Sequence, residues 1–416
     1  MVAVTEKTIL EMNVPDPAGL RWCQGIRMTE LVLRLTGENR SRVNRLTWVQ
    51  DLPVDPKRLI MEDMRRMSVT SDMLITKMSG TGRSKERRIM MAGKVLEESL
   101  EEDHRSFINY VRVHMDHWQG YKKVPSEQEY GDEVGTGTSI EPSEEELADL
   151  SQACNRLWQL DLNRLEPGKD FQLDCGEGKR VHQKEDMAEE SLFYSLSEDI
   201  FRKPTFSRFC ALLDNYNPNA GCKEVVTTEE KQEQSAFIEE ISRTAPIKYL
   251  HRYLSLKGIV SENYQDFKRM LTKLWFDLYG RGGTSGSSSA FEHVFVGEIK
   301  QRGEEEVTGF HNWLQFYLEE AKGRVDYQGY ILPRRRGETP DSETQLLTIQ
   351  FEWNGVRKAV SSTMVGVSPE FELALYTLCF FVGGEDNYVQ LGPYSVNIKC
   401  YRFGDKIGSV FPIAEC

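Results

Sequence analysis

Two histidines lie in sequence surroundings that suit proton transfer. His293 follows the glycine- and serine-rich stretch 280–289, and His311 lies where a turn enters an amphipathic helix. The positive end of a helix dipole favours neutral imidazole, which is the form that a general base needs. Two imidazoles of adjustable pKa could supply an acid and a base at neutral pH. For either histidine alone, a structural role in the core is the better supported interpretation.

Other residue types offer weaker indications of chemistry. Lys358 follows the turn residues Asn354–Gly355, which predict a hairpin with this lysine on its return strand. A lone strand lysine is usually a solvated edge charge. The basic run Arg334–Arg336 is a solvated loop or a phosphate contact. His114 and His117 have the spacing of a helical metal pair, but no third ligand accompanies them, which favours a structural role.

The charge balance argues against binding nucleic acid by bulk attraction. The 416 residues include 65 acidic and 52 basic residues, which give a formal net charge of −13. Residues 1–123 carry a net charge of +4, whereas residues 124–146 hold eight acidic residues and no basic one. A nucleic-acid site on such a chain must be a local patch, because nucleic-acid binders are usually basic overall. Lys399 and Arg402 are candidates for that patch, beside Lys358 and the arginine run.

Cysteine spacing and hydropathy indicate the cellular compartment in which the protein is expected. The eight cysteines are spread thinly and form no CxxC pair, which favours free thiols in a reducing compartment over a disulfide framework or a zinc site. No apolar run reaches the ~18 residues that a membrane helix needs. The first twenty residues lack an apolar core of signal-peptide length. We therefore expect an intracellular protein, in the cytoplasm or the nucleus, with no membrane span.

Hydrophobic periodicity predicts three segments. Residues 1–123 indicate a helical N-terminal extension without a chemical motif, and residues 124–143 read as an acidic, solvated linker. Residues 144–416 form the third segment, which is mostly helical to about residue 285 and β-rich from 286. Within it, residues 144–162 are predicted to form one amphipathic helix, HVFVGEI (293–299) a strand, and Ser368 with Pro369 the start of a helix. The composition of 280–289 predicts a mobile loop. Strands and helices occur in runs without strict alternation, which indicates an α+β fold.

The third segment resembles a known family. Its motifs CNRLWQLDLNRLEPGKDF, LLDNY, FEHVFVGE, GFHNW, VDYQGY and SPEFELALYTLCF occur in the order found in the EndoU (XendoU) poly(U)-specific endoribonucleases. The resemblance implies a helical subdomain followed by two small β-rich catalytic subdomains that flank a positively charged groove. No counterpart of the first 123 residues is recognised.

The resemblance also implies site residues. By similarity to the related coronavirus uridylate-specific endoribonuclease, His293, His311 and Lys358 are the expected catalytic groups, and Ser362 is expected to contact uracil. The acidic pair around the first histidine corresponds to Glu292 and Glu298, which are expected, like Phe411, to contribute to substrate binding. Two departures stand out. Ala359 replaces the usual proline after the lysine, and Phe411 replaces the usual tyrosine, so ring stacking is kept while a hydroxyl hydrogen bond is lost.

The reaction implied by the family is cleavage of single-stranded, uridine-rich RNA by its own 2′-OH. His311 is then the general base, His293 the general acid, and Lys358 the group that stabilises the phosphorane. Family members are stimulated by Mn²⁺ or Ca²⁺, and we expect such an ion to position RNA, with Glu292 and Glu298 as weak candidate ligands. The family catalytic domain resembles a monomer.

Two alternatives remain open at this point. The chain could bind RNA as a regulatory protein with weak or no cleavage, as the change at Phe411 and the unmatched N-terminal block suggest. A serine hydrolase using Ser361 or Ser362 is poorly supported, because no GxSxG motif surrounds these serines.

Overall fold

A computed structural model describes residues 118, 120–135, 137–301, 303, 305–332 and 339–414. The chain divides into two compact units, Met1–Val113 and His114–Cys416, and the described residues all belong to the second. The predicted N-terminal helices, His114, His117 and Arg334–Arg336 lie outside the described residues. The domain boundaries expected from the sequence stay a prediction.

Six α-helices lie among the described residues up to residue 276. They are α1 (Glu144–Ala148), α2 (Leu150–Leu160), α3 (Pro204–Leu212), α4 (Thr228–Ile241), α5 (Ala245–Leu256) and α6 (Tyr264–Phe276). The sequence predicts one helix from residue 144 to 162, but the chain breaks at Asp149. This residue caps α2 by accepting a hydrogen bond from the Ser151 backbone N–H.

Strands dominate the remainder, although three short ones occur earlier. The strands are β1 (Phe171–Leu173), β2 (Gly178–Lys179), β3 (Phe193–Leu196), β4 (Tyr279–Arg281), β5 (Thr284–Ser288), β6 (Glu298–Lys300), β7 (Glu306–Thr308), β8 (Val325–Ile331), β9 (Leu346–Trp353), β10 (Val356–Met364), β11 (Asp386–Leu391), β12 (Tyr394–Phe403) and β13 (Lys406–Ala414). Two further helices are α7 (Trp313–Ala321) and α8 (Pro369–Val382). The larger sheets have the orders β10-β9-β8-β2 and β11-β12-β13, and β2 runs parallel to β8. The α+β class is therefore confirmed.

Local signals at two boundaries are confirmed. Ser368 caps α8 by accepting from the Phe371 N–H at 3.2 Å, and Pro369 occupies the first turn. Asn354 and Gly355 have φ values of 51° and 80°, which is the conformation that a tight hairpin turn between β9 and β10 requires. The turn places Lys358 on β10, as predicted.

Two local predictions are wrong. Residues 280–289 form the hairpin β4–β5 rather than a mobile loop, because the buried Ser287 hydroxyl bonds to the backbone of Arg281 and Thr284. The segment HVFVGEI, predicted as a strand, is mainly a π-helical turn over Glu292–Val296 that ends at Gly297 (φ 94°), and only its end enters β6. A short apolar run fits a buried turn as well as a strand.

Residues 120–135, called the strap below, lie against the helical body. Arg208 of α3, 2% exposed, pairs with Glu240 of α4 at 3.1 Å and donates to the Glu129 carbonyl. The rings of Tyr121 and Tyr130 cover its guanidinium at 4.2 and 4.6 Å. These contacts differ from a solvated linker, because partners distant in sequence give the acidic segment specific anchors.

Candidate active site

The hairpin β6–β7 brings the two candidate histidines together. Antiparallel pairing places the turn that precedes β6 beside the loop that follows β7. The Phe310 N–H donates to the His293 carbonyl at 3.2 Å, and the His311 N–H donates to the Val294 carbonyl at 2.9 Å. Both imidazoles are therefore carried by segments that hydrogen bond to each other directly.

Unusual backbone conformations make this approach possible. Gly309 has φ 65°, and a Cβ at this position would lie 1.7 Å from the His293 carbonyl oxygen. Phe310 follows with φ 62°, a region that non-glycine residues rarely adopt. Such strain persists only where the surroundings enforce it, and it is concentrated at functional sites.

A bulge in β10 directs two side chains to the same side of the sheet. Lys358 pairs with Phe351 and Ser361 pairs with Ile349, so three steps on β10 match two steps on β9. The extra residue on β10 turns Lys358 and Ser361 to one face, whereas regular alternation would place them on opposite faces.

Lys358 contacts strand β7, and Ser361 contacts the loop after β7 that carries His311. The Lys358 ammonium donates to the Val307 carbonyl at 3.1 Å. The Ser361 hydroxyl donates to the Phe310 carbonyl at 2.9 Å and lies 3.3 Å from His311 Nδ1. The structure thus unites the two histidines and the lysine named from the sequence.

His293 has a carboxylate partner. Its Nδ1 lies 2.6 Å from Glu298 Oε2, and Arg281 Nε lies 3.3 Å from the same oxygen. Burial lowers the pKa of His293, whereas the hydrogen bond to Glu298 raises it, and the net direction is downward. Glu298 is 0% exposed, so it meets His293 and Arg281 within the protein rather than lining an open surface.

His311 lies in a different environment, with a hydroxyl and an aromatic ring as neighbours. Burial lowers its pKa well below the usual value, and the charges of Lys358 and His293 lower it further, while a backbone hydrogen bond with Ser362 acts in the opposite direction. The Phe411 ring stacks on its imidazole, with centroids 4.4 Å apart and planes at 16°. The sequence predicts this stacking surface for a substrate, and in the structure it also supports His311.

Lys358 is buried, which contradicts its interpretation as a solvated edge charge. Burial lowers its pKa to about 8, while the charge of Glu306 has the opposite effect. Within the described residues, its ammonium meets a backbone carbonyl rather than a carboxylate. A cation held with so little compensation is available to an anionic substrate.

The remaining predicted residues surround this centre. The Ser362 hydroxyl, 5% exposed, lies 2.9 Å from Thr348 Oγ1. Glu292 is 1% exposed, and one of its oxygens has no hydrogen-bond partner. Burial, with the neighbouring charges of Glu298 and Glu224, raises the pKa of Glu292 to about 9.

The carboxylates do not fit a divalent cation. Burial and the charges of Glu298 and Glu224 raise the pKa of Glu292, which disfavours its charged form, and Glu298 already uses one oxygen on His293 and Arg281. Across the described part of the chain, no group of three or more histidine, cysteine, aspartate or glutamate side chains is arranged to hold a metal ion.

Two predicted groove cations are engaged elsewhere. Lys399 pairs with Asp386 at 2.7 Å and with Glu385 at 3.2 Å. Arg402 donates to the backbone carbonyls of Phe380 and Gly383. Sequence reasoning missed Arg281, which is linked to the centre through Glu298. It lies in the stretch predicted to be a mobile loop, which hid its role. Ser361 was considered only as a nucleophile, because its orientation depends on the bulge.

None of the described helices has the length and apolar character needed to cross a membrane.

Comparisons with known proteins agree with this geometry. Residues 149–412 match the family model described as Endoribonuclease XendoU. Uridylate-specific endoribonuclease B of Danio rerio is 41% identical over 272 residues, which cover 64% of this chain and 95% of that protein. Poly(U)-specific endoribonuclease-B of Xenopus laevis is 41% identical over 275 residues, which cover 64% of this chain and 93% of that protein.

A solved structure shares the same region. The structure of XendoU, described as a splicing-independent snoRNA-processing endoribonuclease, is 40% identical with a TM-score of 0.57 and covers 64% of this chain and 96% of its own. The residues that match the family model include both histidines, the lysine and every neighbour described above. The chain therefore belongs to the XendoU family of endoribonucleases.

Proposed function

We propose that this endoribonuclease prefers uridine and cleaves single-stranded RNA by attack of the 2′-OH, leaving a 2′,3′-cyclic phosphate and a 5′-OH end. One observation carries the mechanism: two buried imidazoles on adjoining segments have contrasting partners, a carboxylate at His293 and a hydroxyl at His311. Environments that treat two titratable groups differently separate an acid from a base.

His311 is the general base in this proposal. Its pKa lies well below the usual value, so the ring is neutral and can accept a proton at neutral pH. The proton comes from the 2′-OH, whose oxygen attacks the adjacent phosphorus. Positioned acid–base catalysis of this kind typically contributes about 10²–10⁴-fold to the rate.

His293 is the general acid. Glu298 accepts at Nδ1, which raises the pKa of His293 against the larger lowering by burial and leaves Nε2 to protonate the departing 5′-oxygen. Arg281 forms an ion pair with the same Glu298 oxygen that meets His293. Glu298 is thus a positioning residue for His293 rather than a substrate contact.

Lys358 stabilises the negative charge that develops on the non-bridging phosphate oxygens. Its ammonium is charged below a pH of about 8. A buried cation interacts more strongly with a developing anion than a solvated one does, because little water screens it.

The proposed uridine preference rests on the uridylate- and poly(U)-specific relatives and on two side chains beside the centre. The Ser362 hydroxyl is the proposed uracil contact, and the Phe411 ring is the proposed stacking surface. Because phenylalanine lacks a hydroxyl, the preference is expected to be weaker than with tyrosine. We further propose that the protein acts as a monomer and that Mn²⁺ or Ca²⁺ stimulates it through RNA positioning, outside the His293–His311–Lys358 centre.

The test uses a defined oligoribonucleotide with a single uridine and a matched substrate with 2′-deoxyuridine at that position. The expected result is one cut 3′ of uridine with cyclic-phosphate and 5′-OH ends, with and without added Mn²⁺ or Ca²⁺, and no cut of the deoxy substrate. Cleavage of the deoxy substrate would exclude the internal nucleophile. Tight RNA binding without any cleavage would instead support the alternative of a regulatory RNA-binding protein, which the change at Phe411 motivates.

A further inference from the structure

We infer that Ser361 is a positioning residue that fixes the tautomer of His311, holding the ring proton on Nδ1 so that Nε2 presents its lone pair to the substrate. The catalytic consequence rests on the proposed function, because it requires His311 to be the general base. The hydrogen-bond arrangement itself does not.

The geometry places one hydroxyl between two partners. Ser361 Oγ lies 2.9 Å from the Phe310 carbonyl oxygen and 3.3 Å from His311 Nδ1. Ser361 and Phe310 are each 2% exposed, so bulk water does not compete for either position. The two partners belong to consecutive residues of the loop after β7.

Counting protons then assigns the direction of each bond. A serine hydroxyl has one proton to donate, and a carbonyl oxygen can only accept. The hydroxyl proton therefore points to Phe310, and the bond to His311 forms only if Nδ1 carries a proton and donates. The opposite arrangement, with the hydroxyl donating to Nδ1, would leave the buried Phe310 carbonyl without this donor, at a cost of about 1–3 kcal/mol.

The loop after β7 holds the Phe310 carbonyl and the His311 ring within hydrogen-bonding distance of the Ser361 hydroxyl. Phe310 adopts φ 62°, and the next residue, His311, is held by its N–H bond to the Val294 carbonyl at 2.9 Å. The bulge in β10 is what directs Ser361 to this face. Stacking of Phe411 on the imidazole restricts rotation of the ring plane.

This arrangement distinguishes the two histidines by their orienting groups. Glu298 favours a charged ring at His293. At His311 the Ser361 hydroxyl is neutral, and the backbone hydrogen bond with Ser362 raises the pKa only against the larger lowering by burial. A base oriented by a hydroxyl can stay neutral until it meets the substrate hydroxyl. Ser361 thereby supplies orientation without the charge that would convert the base into an acid.

The direct test reads the tautomer in the full-length protein by NMR of ¹⁵N-labelled histidine rings, with His311 assigned by comparison with His311→Ala. The expected wild-type spectrum shows a neutral ring protonated at Nδ1. In Ser361→Ala, the population is expected to shift toward the Nε2-protonated form, which free imidazole side chains favour in water. A wild-type ring protonated at Nε2 would overturn the inference without any variant.

Kinetics provide the second readout. Loss of an orienting partner typically costs about 10–100-fold in activity, so Ser361→Ala is expected to lower kcat by that factor with little change in KM. Ser361→Cys, which keeps a weak donor and acceptor, is expected to recover part of the loss. Thr363→Val is the matched control, since Thr363 lies two residues further along β10 and its buried hydroxyl has no partner among the described residues.

The outcomes separate the two proposals. If wild type cleaves uridine RNA while Ser361→Ala keeps the wild-type kcat and the Nδ1-protonated ring, the role of Ser361 is wrong and the proposed function stands. If wild type fails to cleave, the proposed function is wrong, and the tautomer measurement still tests the hydrogen-bond arrangement. If Ser361→Ala does not fold, the wild-type spectrum and Ser361→Cys decide the matter.

Discussion

Two buried charged clusters of this protein differ in how completely their charged groups are paired. Around Arg208, each guanidinium nitrogen has a partner, namely Glu240, the Gln128 side chain or the Glu129 carbonyl. Around Lys358, the described residues offer the ammonium one backbone carbonyl, and two imidazoles with lowered pKa values lie nearby. The first cluster joins the strap to helices α3 and α4, and the second joins β10 to β7, the strand before the histidine-bearing loop.

The difference indicates what each cluster is for. Complete pairing stabilises a unique arrangement, because removal of one partner leaves an uncompensated buried charge. Incomplete pairing costs stability but leaves charge and protons available to a substrate. We therefore expect substitutions at Arg208 to affect folding without affecting chemistry, and substitutions at the catalytic centre to do the reverse.

The largest effect is expected for the histidines. His293→Ala and His311→Ala should each lower kcat on a uridine-containing RNA by about 10²–10⁴-fold. Thermal unfolding should remain close to that of wild type, because neither imidazole belongs to a fully paired network. A variant that loses activity only because it unfolds at the assay temperature would contradict the distinction between the two clusters.

Arg208→Met is expected to have the next largest effect, on stability alone. Leaving the buried Glu240 carboxylate unpaired should lower the free energy of unfolding by about 3–5 kcal/mol, as measured by chemical denaturation. The kcat of the folded fraction should be unchanged. Arg252→Met removes an exposed pair with Glu141 and is the matched control, with no resolvable change expected. Equal destabilisation by both variants would count against a special role for the strap cluster.

Lys358→Met should lower activity and raise stability. Loss of the preorganised charge is expected to lower kcat by about 10²–10³-fold. The free energy of unfolding should rise by about 1 kcal/mol or more, because the variant no longer buries a poorly paired cation.

The lowered pKa of Lys358 predicts the direction in which the stability of the wild-type protein changes with pH. The folded pKa of Lys358 is about 8, below the value of about 10.4 expected in the unfolded chain, so the unfolded state binds more protons between these values. Stability from this group should rise as the pH increases from about 8 to about 10. Denaturation of Lys358→Met should lack this rise, and an identical profile for both proteins would argue that the lysine is not buried.

Glu298→Gln should have a smaller effect on activity, about 10–100-fold in kcat. The amide can still accept from His293 Nδ1 but no longer favours the imidazolium, so the pKa of His293 falls. The decline of kcat at high pH should therefore begin at a lower pH than in wild type. A pH–rate profile that keeps its shape would show that the carboxylate does not act through His293.

The sequence predicts some of this organisation for local reasons. Ser368–Pro369 specified the start of α8, and Asn354–Gly355 specified the turn before β10, because both signals depend on a few adjacent residues. The candidate histidines and Lys358 could be named from their residue types. Their meeting in space could not be derived from spacing, and it was expected only from the resemblance.

The missed features depend on contacts between distant segments. The orientation of Ser361 follows from a bulge that is visible only once β10 is paired with β9. The strap looked solvated because its acidic composition does not show that Arg208, Tyr121 and Tyr130 meet. The ordered hairpin at 280–289 was hidden for the same reason, since serine hydroxyls that bond to nearby backbone look like loop residues in composition.

The central claim, that His293 is the acid and His311 the base of one centre, is tested most directly with a modified substrate. A single-uridine RNA with sulfur in place of the bridging 5′-oxygen has a leaving group that needs no protonation. We predict that this substrate restores cleavage by His293→Ala to near the wild-type rate and leaves His311→Ala as slow as before. Restoration of His311→Ala instead, or of neither variant, would contradict the assignment.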